Sequence, residues 1–194
     1  MTREATTSFR PDATVVLTLG ERTYDLRTRA LVMGILNRTR DSFYSPAATF
    51  ELDRFFARAE RLVDEGADIL DVGGVKAGPG EDVSEEEELD RVVGVVGALK
   101  KRFDLPLSID TWRASVAGAC FAQGAVLGND ISGFADPDYL AVAARAGAAV
   151  VATSGVTVAE GSVTERLKGP PAAPVVCLRT VRVGLDGGSG RESV

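Results

Sequence analysis

The sequence predicts an α/β fold: an incomplete TIM (β/α) barrel of about five parallel strands with their helices, an N-terminal β-hairpin and an irregular C-terminal tail. Three observations carry that expectation. Short apolar runs alternate with segments of helical period from Leu31 to Thr153, and such alternation builds a parallel sheet. The first of them, Leu31–Leu36, is apolar throughout, which suits a strand covered on both faces. Polar residues close several of them: Asn37, Asp71, Asp110, and Asn129 with Asp130. A barrel gathers its strand C-termini at one ligand site. An open doubly wound sheet, the alternative, places such residues only at its switch point.

Thr14–Leu19 and Thr23–Leu26 flank Gly20-Glu21-Arg22 and form the hairpin. Leu31–Leu36 is the first parallel strand, with Asn37 at its end. Leu52, Phe55, Phe56, Ala59, Leu62 and Val63 lie on one helix face, and Gly66 stands where a C-cap glycine belongs. Ile69–Val72 is the second strand and runs into a glycine-rich loop, Gly73–Gly80. Ser84 with Glu87 opens the second helix as a capping box, its apolar face being Leu89, Val92, Val93, Val96 and Leu99. The third strand, Leu107–Asp110, leads into a helix over Ala114–Gln123. Val126–Asn129 is the fourth strand, Asp136-Pro137 supplies an N-cap and N1 proline for the fourth helix, and Ala149–Thr153 is the fifth strand.

Beyond Thr153 the pattern stops, and the chain divides into a partial barrel domain, 1–153, and a tail, 154–194, rich in glycine and proline. The break in periodicity is read as a frameshift or premature end. A complete barrel has eight strands, so the fifth strand is expected to lack a neighbour and the fold to be marginally stable.

Composition narrows the function. A net charge of −6 argues against non-specific nucleic-acid binding and a polybasic membrane contact. No apolar stretch approaches membrane-spanning length, and the polar N-terminus does not read as a secretory signal. Cys120 and Cys177 lack metal spacing, which places the chain in a reduced cytoplasm. The absence of histidine removes Ser-His-Asp and Cys-His catalysis and histidine zinc sites.

The candidate site residues each have two readings. The Asn37 carbonyl suits Mg²⁺ beside a substrate phosphate, or plain turn chemistry, which is the stronger reading for the residue alone. The Gly73–Gly80 loop is neither GxGxxG nor a P-loop. Asp110 and Asn129, on neighbouring strand ends, suit the hydrogen-bonding edge of a flat heterocycle or equally a polar network closing the barrel top. The acidic run Glu81–Asp90 reads as a solvated helix start, Cys120 as core, and Trp112 as a stacking or packing residue.

The stretches MGILNRTRDSF (Met33–Phe43), EGADILDVGG (Glu65–Gly74), LSIDTWRASVA (Leu107–Ala117) and NDISGFADPDYLAVAARAGAAVV (Asn129–Val151) together resemble the dihydropteroate synthase family, the pterin-binding TIM-barrel enzymes of folate synthesis. The resemblance implies condensation of hydroxymethyl-dihydropterin pyrophosphate with p-aminobenzoate, assisted by Mg²⁺. It implies that Asn37 meets the metal and pyrophosphate, that Asp110 and Asn129 bind the pterin ring, and that Asp71 supports them. A homodimer is implied as well. Departures are clear. Arg40 stands where the family has proline, and Ala77 and Gly78 stand where its second loop has threonine and arginine. The family's later Asp-Pro-Gly, Ser-x-Lys and Arg-x-His segments have no counterpart. The chain is similar in these respects to a divergent second paralogue found in actinobacteria, which implies weak or absent synthase activity. The alternative is a non-catalytic paralogue that binds a pterin or phosphometabolite. A third reading, an unrelated open α/β nucleotide-binding domain, is weakened by the lack of a glycine fingerprint.

Overall fold

The computed structural model of the 194-residue chain describes residues 16–38, 48–75, 82–153 and 175–178. Val16–Leu19 (β1) and Arg22–Asp25 (β2) pair antiparallel as the hairpin. The chain then alternates: Met33–Asn37 (β3), Ala48–Asp64 (α1), Ile69–Gly73 (β4), Glu85–Arg102 (α2), Leu107–Asp110 (β5), Ala114–Ala122 (α3), Leu127–Asp130 (β6), Tyr139–Ala146 (α4) and Ala149–Thr153 (β7). Strands β3 to β7 are parallel neighbours in chain order. This is the order a barrel lays down, and it excludes the reversal of an open doubly wound sheet.

The tail departs from expectation in one place. Val175–Leu178 (β8) pairs parallel with β7, so β7 has a neighbour on both sides. The expectation of an unpaired fifth strand is therefore corrected, and with it the stated reason for marginal stability. The signal is a four-residue apolar run, too short to stand out in a stretch crowded with glycine and proline. The remainder of the tail lies outside the described residues. Among those residues β3 and β8 are the sheet's two edges, each with a strand on one side only.

Two cores sit on opposite faces of the sheet. Outward-facing Leu36, Leu70, Val72, Leu107, Ile109 and Val150 pack against the helices. Inward-facing Ile69, Leu127, Ala149 and Val151 meet Leu17 and Leu19 of the hairpin. The hairpin thus plugs the N-terminal end of the strands and leaves the C-terminal end for chemistry. Burying each large aliphatic side chain contributes about 1.5–3 kcal/mol. Helix α1 ends as expected at Gly66, whose φ of +99° is a left-handed conformation that glycine adopts without strain.

Asp136 serves two helices. The N-cap of α4 is Asp138, whose side chain makes no cap bond. One oxygen of the Asp136 carboxylate accepts from the Asp138 amide at 3.0 Å, in the turn that leads into α4, and the other accepts from the Ala114 amide at 2.8 Å, closing the start of α3. Arg113, the N-cap of α3, makes no side-chain cap bond, so the neighbouring loop provides it. Asp136→Ala should therefore cost about 1 kcal/mol in denaturant unfolding through loss of the α3 cap, while Asp138→Ala should be close to neutral.

Candidate functional site

Strand register builds the site. Asn37, Gly73, Asp110, Asn129 and Val151 are successive partners across β3 to β7 and form the uppermost inward row. One row lower stand Ile35, Asp71, Ser108, Leu127 and Ala149. The sheet therefore brings Asn37, Asp110 and Asn129 to one level. Asp71, two residues before the end of β4, lies beneath them.

Gly73 makes the upper row work. A Cβ there would stand 3.0 Å from Asn37 Oδ1 and 3.5 Å from an Asp110 carboxylate oxygen. Glycine lets the two flanking side chains lean over the strand between them. Asn37 is exposed and Asp110 partly buried, so this row opens to solvent.

The lower row supports it. Asn129 Nδ2 donates to Asp71 Oδ2 at 3.0 Å, which fixes the Asn129 amide. Asp71 and Ser108 are buried register partners on neighbouring strands. Burial pushes the Asp71 carboxyl up, against hydrogen bonds from Ser108 and Asn129 that hold it down. Asp110 is pushed up to about 7, first by burial and then by the negative charges of Asp71, Glu88 and Asp130.

Three more residues frame these strand ends: Glu88 and Arg91 on α2, and Asp130 at the end of β6. Glu88, placed on a solvated face above, is fully buried and paired with Arg113. Its signal was available: Glu88 lies four residues before Val92, on the buried stripe with Val95, Val96 and Leu99. Arg91, also buried, donates to the Gly74 carbonyl at 2.7 Å. Asp130 points away from the site, and its carboxylate accepts from the amides of Ser132 at 2.6 Å and Phe134 at 2.9 Å. Cys120 is core as expected, its thiol pushed up to about 12 by burial, which rules out a thiolate nucleophile near neutral pH. Trp112 is 37% exposed, and the Arg113 guanidinium lies 4.7 Å from its ring centroid. Ala77, Gly78 and Arg40 fall outside the described residues. Among the described residues, no group of three or more acidic or cysteine side chains is arranged to hold a metal. No described helix is long and apolar enough to cross a membrane.

Comparison with known proteins decides the family. The family described as "Pterin binding enzyme" matches residues 33–165. This chain belongs to the pterin-binding enzymes, the dihydropteroate synthase family. It is 50% identical over 124 residues to "Inactive dihydropteroate synthase 2" of Mycobacterium leprae, covering 63% of this chain and 43% of that protein. It is 45% identical over 129 residues to a dihydropteroate synthase of Clostridium beijerinckii, covering 66% and 48%. Among solved structures, the Xanthomonas albilineans dihydropteroate synthase with 4-aminobenzoic acid aligns at a TM-score of 0.65 and 38% identity, covering 73% of this chain and 52% of that one. The chain spans about half the length of these relatives. The match holds all four sequence stretches that carry the resemblance, and the sheet joins them in family order.

Proposed function

We propose that this chain carries the pterin-recognition half of a dihydropteroate synthase site, and that it binds a dihydropterin with weak or absent turnover. The observation that carries this reading is the register pairing of Asp110 with Asn129 above the buried Asp71. Adjacent strands stand about 4.8 Å apart. That spacing matches two substituents on one edge of a fused pyrimidinone ring. The Asp110 carboxylate accepts from the ring N–H and exocyclic amine, while the Asn129 amide donates and accepts beside it.

The ring side chain of the substrate then points toward Asn37. In the family reaction the amine nitrogen of p-aminobenzoate forms a bond to the pterin methylene carbon. The bond from that carbon to the pyrophosphate oxygen breaks, and the amine proton is released. Mg²⁺ would neutralise the departing pyrophosphate. Asn37 fits as one hard oxygen ligand, with the phosphates and water completing the shell. A further consequence concerns Gly73. Gly73→Ala displaces Asn37 and should weaken a pterin pyrophosphate by about tenfold while barely changing a pterin without phosphate. Calorimetry with both ligands measures the difference.

The second reading, a non-catalytic pterin binder, is favoured by the 50% identity to the M. leprae protein named as inactive. Small-molecule substrates are the partners in both readings, with p-aminobenzoate the amine in the first. A homodimer and a cytoplasmic setting belong to the reading too. The free, buried Cys120 accords with the latter. The two readings separate in one pair of assays. Calorimetric binding of dihydropterin pyrophosphate with Mg²⁺, and no dihydropteroate formed with p-aminobenzoate, supports the binder. Turnover near that of a full-length family member overturns the proposal of weak activity.

A further inference from the structure

Helix α2 touches both strand exits that flank Asp110. Its Glu88 is fully buried, one oxygen taking the Arg113 guanidinium and the other having no partner among the described residues. Arg113 also donates to the Val83 carbonyl at 2.7 Å and lies over Trp112. Its backbone amide bonds to Thr111 Oγ1 at 3.2 Å, and the next amide to Asp136. The turn that follows Asp110 is therefore held from the side by one buried ion pair. One turn along the same helix face, Arg91 bonds to the Gly74 carbonyl at the β4 exit and to Glu87 at 2.5 Å. The helix presses there: a Cβ on Gly74 would meet Val92 at 2.8 Å and Glu88 at 3.1 Å.

We infer that Glu88 is a positioning residue for the pterin site: through Arg113 it sets where the Asp110 carboxylate stands. The inference rests on the pterin reading for its effect on affinity, but not for the geometry. A buried ion pair is a poor source of stability, since its desolvation cost offsets most of its attraction, whereas an orphaned partner is costly. The turn that this pair grips is the one that carries Asp110. Glu88 is also one of the charges that raise Asp110's proton affinity.

Trp112 is the chain's single tryptophan, so its fluorescence reports this turn without any ligand. Glu88→Gln should red-shift Trp112 emission, increase its acrylamide quenching, and weaken 6-hydroxymethylpterin binding by about tenfold, the scale of a sub-ångström misplacement. Val96→Ala, a core change on the same helix, should lower the melting temperature and leave all three readouts in place. The double variant Glu88→Leu with Arg113→Met carries no orphaned charge. It should recover wild-type melting and still bind the pterin about tenfold more weakly. Two results would overturn the inference: Trp112 emission and pterin affinity unchanged in Glu88→Gln, or a double variant that regains affinity along with stability. If the wild-type chain binds no pterin, the pterin reading fails on its own, and the Trp112 comparison between Glu88→Gln and Val96→Ala decides the role of Glu88.

Discussion

Asp110→Asn should move affinity and stability in opposite directions. Asparagine keeps the shape but offers one accepting oxygen and an amine that faces the ligand's own donors. Loss of a charge-assisted pair of hydrogen bonds costs about 3 kcal/mol, so pterin affinity should fall by about a hundredfold. The ligand-free fold should gain. Asp110's native pKa is pushed up to about 7, against about 3.9 in an unfolded chain. Between those values the native state holds a proton that the unfolded chain releases. Wild-type stability therefore declines as pH rises from about 4 to about 7 and is level above that. The asparagine variant escapes this decline. At pH 8 it should unfold at higher denaturant by about 2 kcal/mol, and at pH 5 the advantage should shrink toward zero. Pterin affinity of the wild type should run the other way and rise between pH 6 and 8, as the carboxylate forms. Denaturation at the two pH values and calorimetry across that range measure both. A variant no more stable at pH 8 than at pH 5, relative to wild type, would contradict the burial of this charge.

The largest single-residue loss of stability outside the helices is expected at Asp130. Its carboxylate is fully buried and takes two backbone amides in the loop after β6. One belongs to Phe134, which holds a φ of +61° and packs its ring against Tyr139, the centroids 5.8 Å apart. A bulky residue in that conformation persists only where surrounding bonds enforce it. Asp130→Ala removes both charge-assisted acceptors from these amides, a cost of about 3 kcal/mol. Asp130→Asn keeps one acceptor and should cost about half. Urea unfolding followed by circular dichroism distinguishes them. A loss under about 1 kcal/mol for the alanine variant would show that the loop finds other partners.

Much of this architecture was legible because parallel barrels write themselves locally. Strands such as Leu107–Asp110 are apolar runs closed by an acid, and helices such as Glu85–Arg102 declare their N-cap at Ser84, whose Oγ accepts from Glu87 N at 3.1 Å. Asn37, Asp110 and Asn129 were legible as site candidates for the same reason: each stands at or next to the end of a strand. What escaped was tertiary. No spacing within β4 tells that Asp71 pairs one row below Asp110, because register belongs to two strands at once. Asp136 bonds to the Asp138 amide as a local cap residue does, yet its second oxygen crosses to a different helix. Glu88 sits inside a run of acids and differs from Glu86 and Glu87 only in facing the sheet. Its Arg113 partner lies 25 residues on, beyond any local pattern.

The central claim is that the ends of β5 and β6 hold the hydrogen-bonding edge of a pterin. The most direct test is a nuclear magnetic resonance titration of the isotope-labelled chain with 6-hydroxymethylpterin, following the Asn129 side-chain amide and the Asp110 carboxyl carbon. Saturable shifts at both, with smaller changes at Gly73 and none in the cleft between β3 and α1 lined by Arg54, Arg58 and Arg61, are the predicted result. Shifts confined to that cleft, or none at Asn129 and Asp110 at millimolar pterin, would contradict it.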